Sequence, residues 1–159
     1  MKIKAKELSP EGFAPYGSYF NIYDVDTERE GDFNYYPDVA AGLFAGNSLV
    51  GFSVCGIEKR EMKVDLVEMH EDTEEIEFCM TCGSVVLAGQ QSGDKPDLKK
   101  FEAFIVPKDT LIRFKRKVWH FVPFPLEDKR AMVLTALPPF TYTNDSVVVN
   151  LAETIEIEM

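Results

Sequence analysis

The sequence predicts an all-β domain, a sandwich or barrel, with one short helix near its start. Three observations predict it. Apolar stretches are short and rich in β-branched and aromatic residues. Turn residues separate them at regular intervals, as in sandwiches and barrels. The only helix-start signature lies in "LSPEGFAPYG" at 8–17.

In that stretch Ser9 is placed to cap, Pro10 suits a first helical position, and Gly17 reads as a stop. Eight extended segments are expected after it: "SLVGFSVCGI" (48–57), "MKVDLVEMH" (62–70), "EIEFCM" (75–80), "SVVLAG" (84–89), "KKFEAFIV" (99–106), "TLIRFK" (110–115), "VWHFVPF" (118–124) and "AMVLTAL" (131–137). "QQSGDKPDL" is a polar hairpin loop punctuated by Gly93, Asp94 and Pro96. The tail "NLAETIEIEM" alternates Thr154, Glu156 and Glu158 with Ile155, Ile157 and Met159, as an edge strand of this barrel or of a partner subunit would.

No repeat or linker divides the 159 residues, so one domain spanning 1–159 is expected. A net charge of -10 disfavours nucleic acid and anionic membrane, which attract basic surfaces. No apolar run is long enough to span a bilayer. "MKIKAKELSPEGF" has charge without a following apolar stretch, so the expected compartment is the cytoplasm. Cys55, Cys79 and Cys82 are expected to be reduced thiols. "CMTC" at 79–82 has no second pair to complete a structural zinc site.

Alternation places Val64, Leu66, Glu68 and His70 on one strand face, and Val118, His120 and Val122 on another. Both histidines therefore stand in line with aliphatic residues and are expected to point inward. In "EIEFCM", Glu75, Glu77 and Cys79 share one face, and Ile76, Phe78 and Met80 the other. Hydrophobicity alone would send the second set inward and expose Glu75. Glu71, Asp72, Thr73 and Glu74 read as an exposed connection, and Arg113 and Lys117 as part of a solvated basic turn. Glu77 fits either side.

Glu68, His70 and Glu75, followed by Gly83, resemble the first motif of the cupins, with Glu68 in place of that motif's first histidine. "KRKVWHF" resembles the second motif, with His120 as its histidine. The set Glu68, His70, Glu75 and His120 would offer mixed nitrogen and oxygen ligands to one divalent transition metal: manganese, iron, nickel or zinc. Four stretches in order, "LSPEGFAPYGSYF", the Glu-x-His of motif one, "GDKPDLKKFEAFIV" and "FKRKVWHFVPFPL", are together similar to the ureidoglycolate lyase family.

That resemblance implies a single cupin-type β-barrel (jelly-roll). It also implies a carbon–nitrogen lyase that splits ureidoglycolate, or a related small 2-hydroxy acid, into glyoxylate and urea during allantoin breakdown. His70, His120 and Glu75 are the implied catalytic residues; Lys115, Arg116 and Glu68 are the implied substrate contacts. Trp119 is expected to pack the turn beneath His120. A homodimer is the implied assembly. Departures from the family pattern are Lys115 in place of a His, Phe121 in place of a second His, Glu75 where Gln is common, and Ser53, Val54 and Cys55 where an Arg is expected. A non-catalytic binding cupin and a metal-dependent sugar-acid isomerase or epimerase stay open as alternatives on the same scaffold.

Overall fold

The computed structural model describes residues 1–24, 37–44, 49–93 and 95–159; Ser48 and Asp94, both in the segments above, lie outside them. In chain order the elements are β1 (Lys2–Glu7), α1 (Pro10–Phe13), β2 (Gly17–Asn21), β3 (Gly51–Ile57), β4 (Lys63–His70), β5 (Glu75–Cys79), β6 (Ser84–Gln90) and a 3-10 turn (Leu98–Lys100). Then come β7 (Phe101–Val106), β8 (Thr110–Phe114), β9 (Val118–His120), β10 (Phe124–Pro125), β11 (Ala131–Leu137), α2 (Thr141–Asn144) and β12 (Ser146–Glu158).

Two sheets result. One has the order β10-β6-β7-β1-β12-β4-β9, and β6 also pairs with β9. That extra pairing (Ala88 with His120, Gly89 with Trp119) closes six strands, β6-β7-β1-β12-β4-β9, into a ring. The other sheet runs β2-β8-β5-β11-β3. The fold is a cupin-type barrel. Closure removes two sheet edges that would otherwise present unpaired backbone groups. One core cluster includes Val64, Val67, Leu87, Trp119, Phe124 and Ile155. Another gathers Phe13, Phe104, Phe114 and Val118. The helix α1 anchors through Phe13, which is fully buried and edge-on to Phe104 at 5.1 Å between ring centroids.

The helix itself is the short turn expected, Pro10–Phe13, capped by Ser9, whose Oγ accepts from the Gly12 N–H at 3.1 Å. Several expectations need correction. Gly17 does not stop the helix; it opens β2, where a Cβ would stand 1.7 Å from the Arg113 carbonyl oxygen, so only glycine allows β2 to pair with β8. "KIKAKE" forms β1, whose alternation is weak because only Ala5 is buried. It is held by parallel pairing to β12 and β7 on either side. "VWHFVPF" divides into β9 and β10. The C-terminal tail is no edge strand: it is the second half of β12, flanked by β1 and β4.

The face assigned to Val64, Leu66, Glu68 and His70 also breaks. Val64 packs with Val67 and Met69, while Leu66 is exposed. The cause is a register shift in β12 between Asn150 and Ile155, which turns β4 partway along its length. Glu68 and His70, beyond the shift, share a face as expected.

Candidate functional site

Three elements bring one cluster together. β4 ends on His70, β5 begins on Glu75, and β9 ends on His120. Glu68 is register partner to His120 in the β4–β9 pair. The turn before β9 is fixed by Lys117, which takes a positive φ of 63° and donates its N–H to the His70 carbonyl at 2.7 Å. That bond ties the two histidine-bearing strands. The 71–74 connection is ordered by Asp145, whose carboxylate accepts from the backbone N–H groups of Glu71, Asp72 and Thr73.

Glu75 points inward. On β5, Glu75, Glu77 and Cys79 are buried, and Ile76 and Phe78 are half-buried on the outer face. Glu75 turns inward against its hydrophobicity because two imidazoles meet it inside. Its Oε2 lies 3.0 Å from His70 Nε2 and 2.9 Å from His120 Nε2. Each ring is oriented from behind. His70 Nδ1 contacts the Asp145 carbonyl at 3.0 Å, and His120 Nδ1 the Val118 carbonyl at 2.9 Å. A carbonyl only accepts, so both Nδ1 atoms carry hydrogen and both Nε2 atoms face Glu75. The His120 ring stacks on Phe114, 4.9 Å between centroids and 12° between planes.

Burial works against the His120 cation, yet the Glu75 carboxylate outweighs it and holds His120 up at about 9. His70 is raised as well, burial again opposing and Glu75 prevailing. Burial pushes Glu75 up, and the two imidazoles overcome this to hold it at about 2. Burial, and then the Glu75 charge, push Glu77 up to about 8, so its carboxyl keeps a proton at neutral pH. One Glu77 oxygen has no hydrogen-bond partner.

These donors fit a divalent transition metal. One ligand atom each from His70, Glu75 and His120 lies within 4.8 Å of the others, and all three residues are buried. His120 Nε2 stands close to Glu75 without a well-directed hydrogen bond, leaving its lone pair available once the proton is gone. Nitrogen and carboxylate oxygen suit manganese, iron, nickel or zinc. Glu68 lines the same cavity, but its Oε2 accepts from Ser146 Oγ at 2.8 Å and it stands outside the three-residue cluster.

The cavity holds about 350 Å³ and runs between the five-stranded sheet and the β4 and β9 ends. No Lys or Arg is among its described lining residues. Lys115 and Arg116 are exposed and line a separate surface depression with Glu71, Asp72 and Glu74. The Lys115 ammonium donates to the Ala14 carbonyl at 2.5 Å. Glu71, Asp72 and Lys117 are exposed as expected, whereas Thr73 and Glu74 are buried and Arg113 pairs with Glu74 at 3.0 Å. Trp119 is buried in the core beside His120, as expected. Cys79 and Cys82 sit at a strand end and turn with their sulfurs 4.0 Å apart, while exposed Cys55 lines the cavity.

Asp145, Ser146 and the aromatic lip of Phe140 and Tyr142 went unread in the sequence. The only signal for Asp145 is a polar residue between "TYTN" and the next apolar run. For Glu77 the signal was its period-two spacing from Glu75.

A family model described as ureidoglycolate lyase matches residues 1–158. The chain belongs to the ureidoglycolate lyase family. No curated protein sequence matches it. Among solved structures it is similar to an oxalate decarboxylase from Bacillus subtilis with Mn(II) centres, at 13% identity and a TM-score of 0.46, covering 64% of this chain and 24% of that one. It is also similar to an oxalate decarboxylase formate complex from Lactobacillus farciminis, at 11% identity and a TM-score of 0.47, covering 62% of this chain and 26% of that one. The chain thus spans about a quarter of those proteins' length.

Proposed function

We propose that this protein is a carbon–nitrogen lyase that splits ureidoglycolate, or a related 2-hydroxy acid bearing a ureido group on the same carbon. The products are glyoxylate and urea. The observation that carries the reading is Glu75, held ionised between two imidazole Nε2 atoms at the polar end of an otherwise apolar cavity. Its support from outside the site is membership of the family.

Cleavage is the collapse of a hemiaminal. The hydroxyl proton leaves, the carbonyl forms, and the urea nitrogen gains a proton. His70 and His120 are the groups for these transfers, each through Nε2, with Nδ1 engaged on a backbone carbonyl. Glu75 orients both rings and raises the proton affinity of each. Glu77 remains neutral beside them and keeps a second carboxylate charge out of the cluster. Glu68, anchored by Ser146, is a contact for the substrate hydroxyl or ureido N–H groups. Lys115 and Arg116, outside the cavity, have no part in this scheme.

A divalent metal would be held by His70, Glu75 and His120 through the same Nε2 atoms, so the proton transfers above belong to the metal-free site; when bound, the metal would act as a Lewis acid toward the substrate oxygens. A homodimer belongs to the same proposal. Phe52 and Val54 are exposed at 70% and 56% on β3, at the edge of the five-stranded sheet, which supports a subunit contact there.

The test is product identification by carbon NMR. Glyoxylate and urea in equal amounts, formed faster than in buffer, agree with the lyase. Ammonia in place of urea, or no conversion, contradicts it.

A further inference from the structure

We propose that the preferred ligand of this cavity carries an apolar arm that ureidoglycolate lacks: a 2-hydroxy acid with a hydrocarbon substituent, its polar head at Glu75 and its arm along β3 and β11. The inference rests on the site reading above only in placing the head group.

The first argument is length. Cavity-lining residues run along β3 from Gly51 to Ile57. Those six residue steps cover about 20 Å at roughly 3.3 Å per residue. Register fixes what lies where. Thr135 is opposite Glu77 and Val133 opposite Cys79, while Cys55 pairs with Val133 from the other side. Val133 and Cys55 therefore stand four residues beyond the Glu75 level, about 13 Å along the strand direction. Ureidoglycolate, with about five bonds of roughly 1.4 Å end to end, is about 7 Å long. With its head at Glu75 it stops short of Val133.

Chemistry is the second argument. All charged lining residues among those described (Glu68, His70, Glu75, Glu77 and His120) come from β4, β5 and β9. The polar groups on the way are the Glu77 carboxyl, level with the hydroxyls of Ser53 and Thr135, and the Cys55 thiol; beyond them toward Ile57 the walls are Ile57, Val122, Pro123 and Val133. No Lys or Arg is among the described lining residues there; Arg60 stands behind this wall with its guanidinium engaged on the Val122 and Pro123 carbonyls at 2.9 and 3.1 Å. Volume agrees. Ureidoglycolate has the bulk of about five waters, roughly 150 Å³ at about 30 Å³ each. The cavity offers about 350 Å³, within the range of pockets that enclose larger, mostly apolar ligands.

The experiment is calorimetric titration of the protein as purified with glycolate, 2-hydroxybutyrate, 2-hydroxyhexanoate and 2-hydroxyoctanoate. Each buried methylene is expected to tighten binding about fourfold. In Cys55→Phe, an exposed position on a sheet edge, the ring fills the trough. Glycolate affinity is expected to stay, and the gain from chain length to disappear. Val122→Asp is expected to cut the gain by placing a charge against the arm. A flat series, no binding of any member, or a full gain retained in Cys55→Phe overturns the inference. Urea release from ureidoglycolate is measured separately. A steep series without urea keeps this inference and rejects the lyase; urea with a flat series does the reverse.

Discussion

Replacing Glu75 by Gln keeps the shape of the side chain, removes the charge shared by two imidazoles, and restores the residue common in the family. In the metal-free protein the His120 imidazolium exists because of that charge. The distance from the ordinary value of 6.5 to about 9, at about 1.4 kcal/mol per pH unit, amounts to about 3 kcal/mol. The sign follows from linkage. A histidine raised in the folded state contributes fully below pH 6.5 and loses its contribution as pH rises through 9. At pH 7 most of it is present, so Glu75→Gln is expected to cost about 2–3 kcal/mol. Relief of the repulsion on Glu77 offsets part of this. Urea denaturation of chelator-treated protein at pH 6, 7, 8 and 9 measures it, the wild type losing stability across that range and the variant changing less. The chain has only two histidines, so proton NMR titration follows each ring. In the variant both imidazoles are expected to titrate at or below the ordinary range. A His120 that still titrates near 9, with unchanged stability, would refute the reasoning.

Other consequences follow from the same geometry. Binding of Mn(II) or Zn(II), measured by equilibrium dialysis, is expected to strengthen from pH 6 to pH 9, because His120 must release a proton before it can ligate; pH-independent binding would contradict the three-residue centre. Asp145→Ala removes the acceptor of three backbone N–H groups and is expected to lower stability by about 2 kcal/mol in denaturant melts, with weaker metal binding as His70 loosens. Gly17→Ala would force a Cβ into the Arg113 carbonyl, and a loss of about 3 kcal/mol or more is expected in thermal melts.

Most strands were legible because their β-branched and aromatic runs are bounded by turns; the extended reading of "AMVLTAL" coincides with β11. β1 was not legible, because "KIKAKE" buries only Ala5 and owes its strand to two parallel neighbours far away in sequence. His120 was readable from its alternation with Val118, whereas the aliphatic face assigned to His70 breaks at the register shift in β12. The inward turn of Glu75 was not readable, since hydrophobicity assigns a carboxylate to solvent and knows nothing of two imidazoles contributed by β4 and β9. Lys115 and Arg116 are implied as substrate contacts only by the family resemblance, as cations in place of the missing Arg. The turn that brings His120 inward leaves their side chains exposed.

Whether His70, Glu75 and His120 form one centre that cleaves a carbon–nitrogen bond is decided by initial rates of urea release from ureidoglycolate at pH 7 for the wild type, His70→Ala, His120→Ala and Lys115→Ala. Each histidine variant is expected to lose about 10²- to 10⁴-fold in rate, the span of general acid–base catalysis, while Lys115→Ala keeps the wild-type rate. Histidine variants as fast as the wild type, or a wild type no faster than buffer, would contradict such a centre.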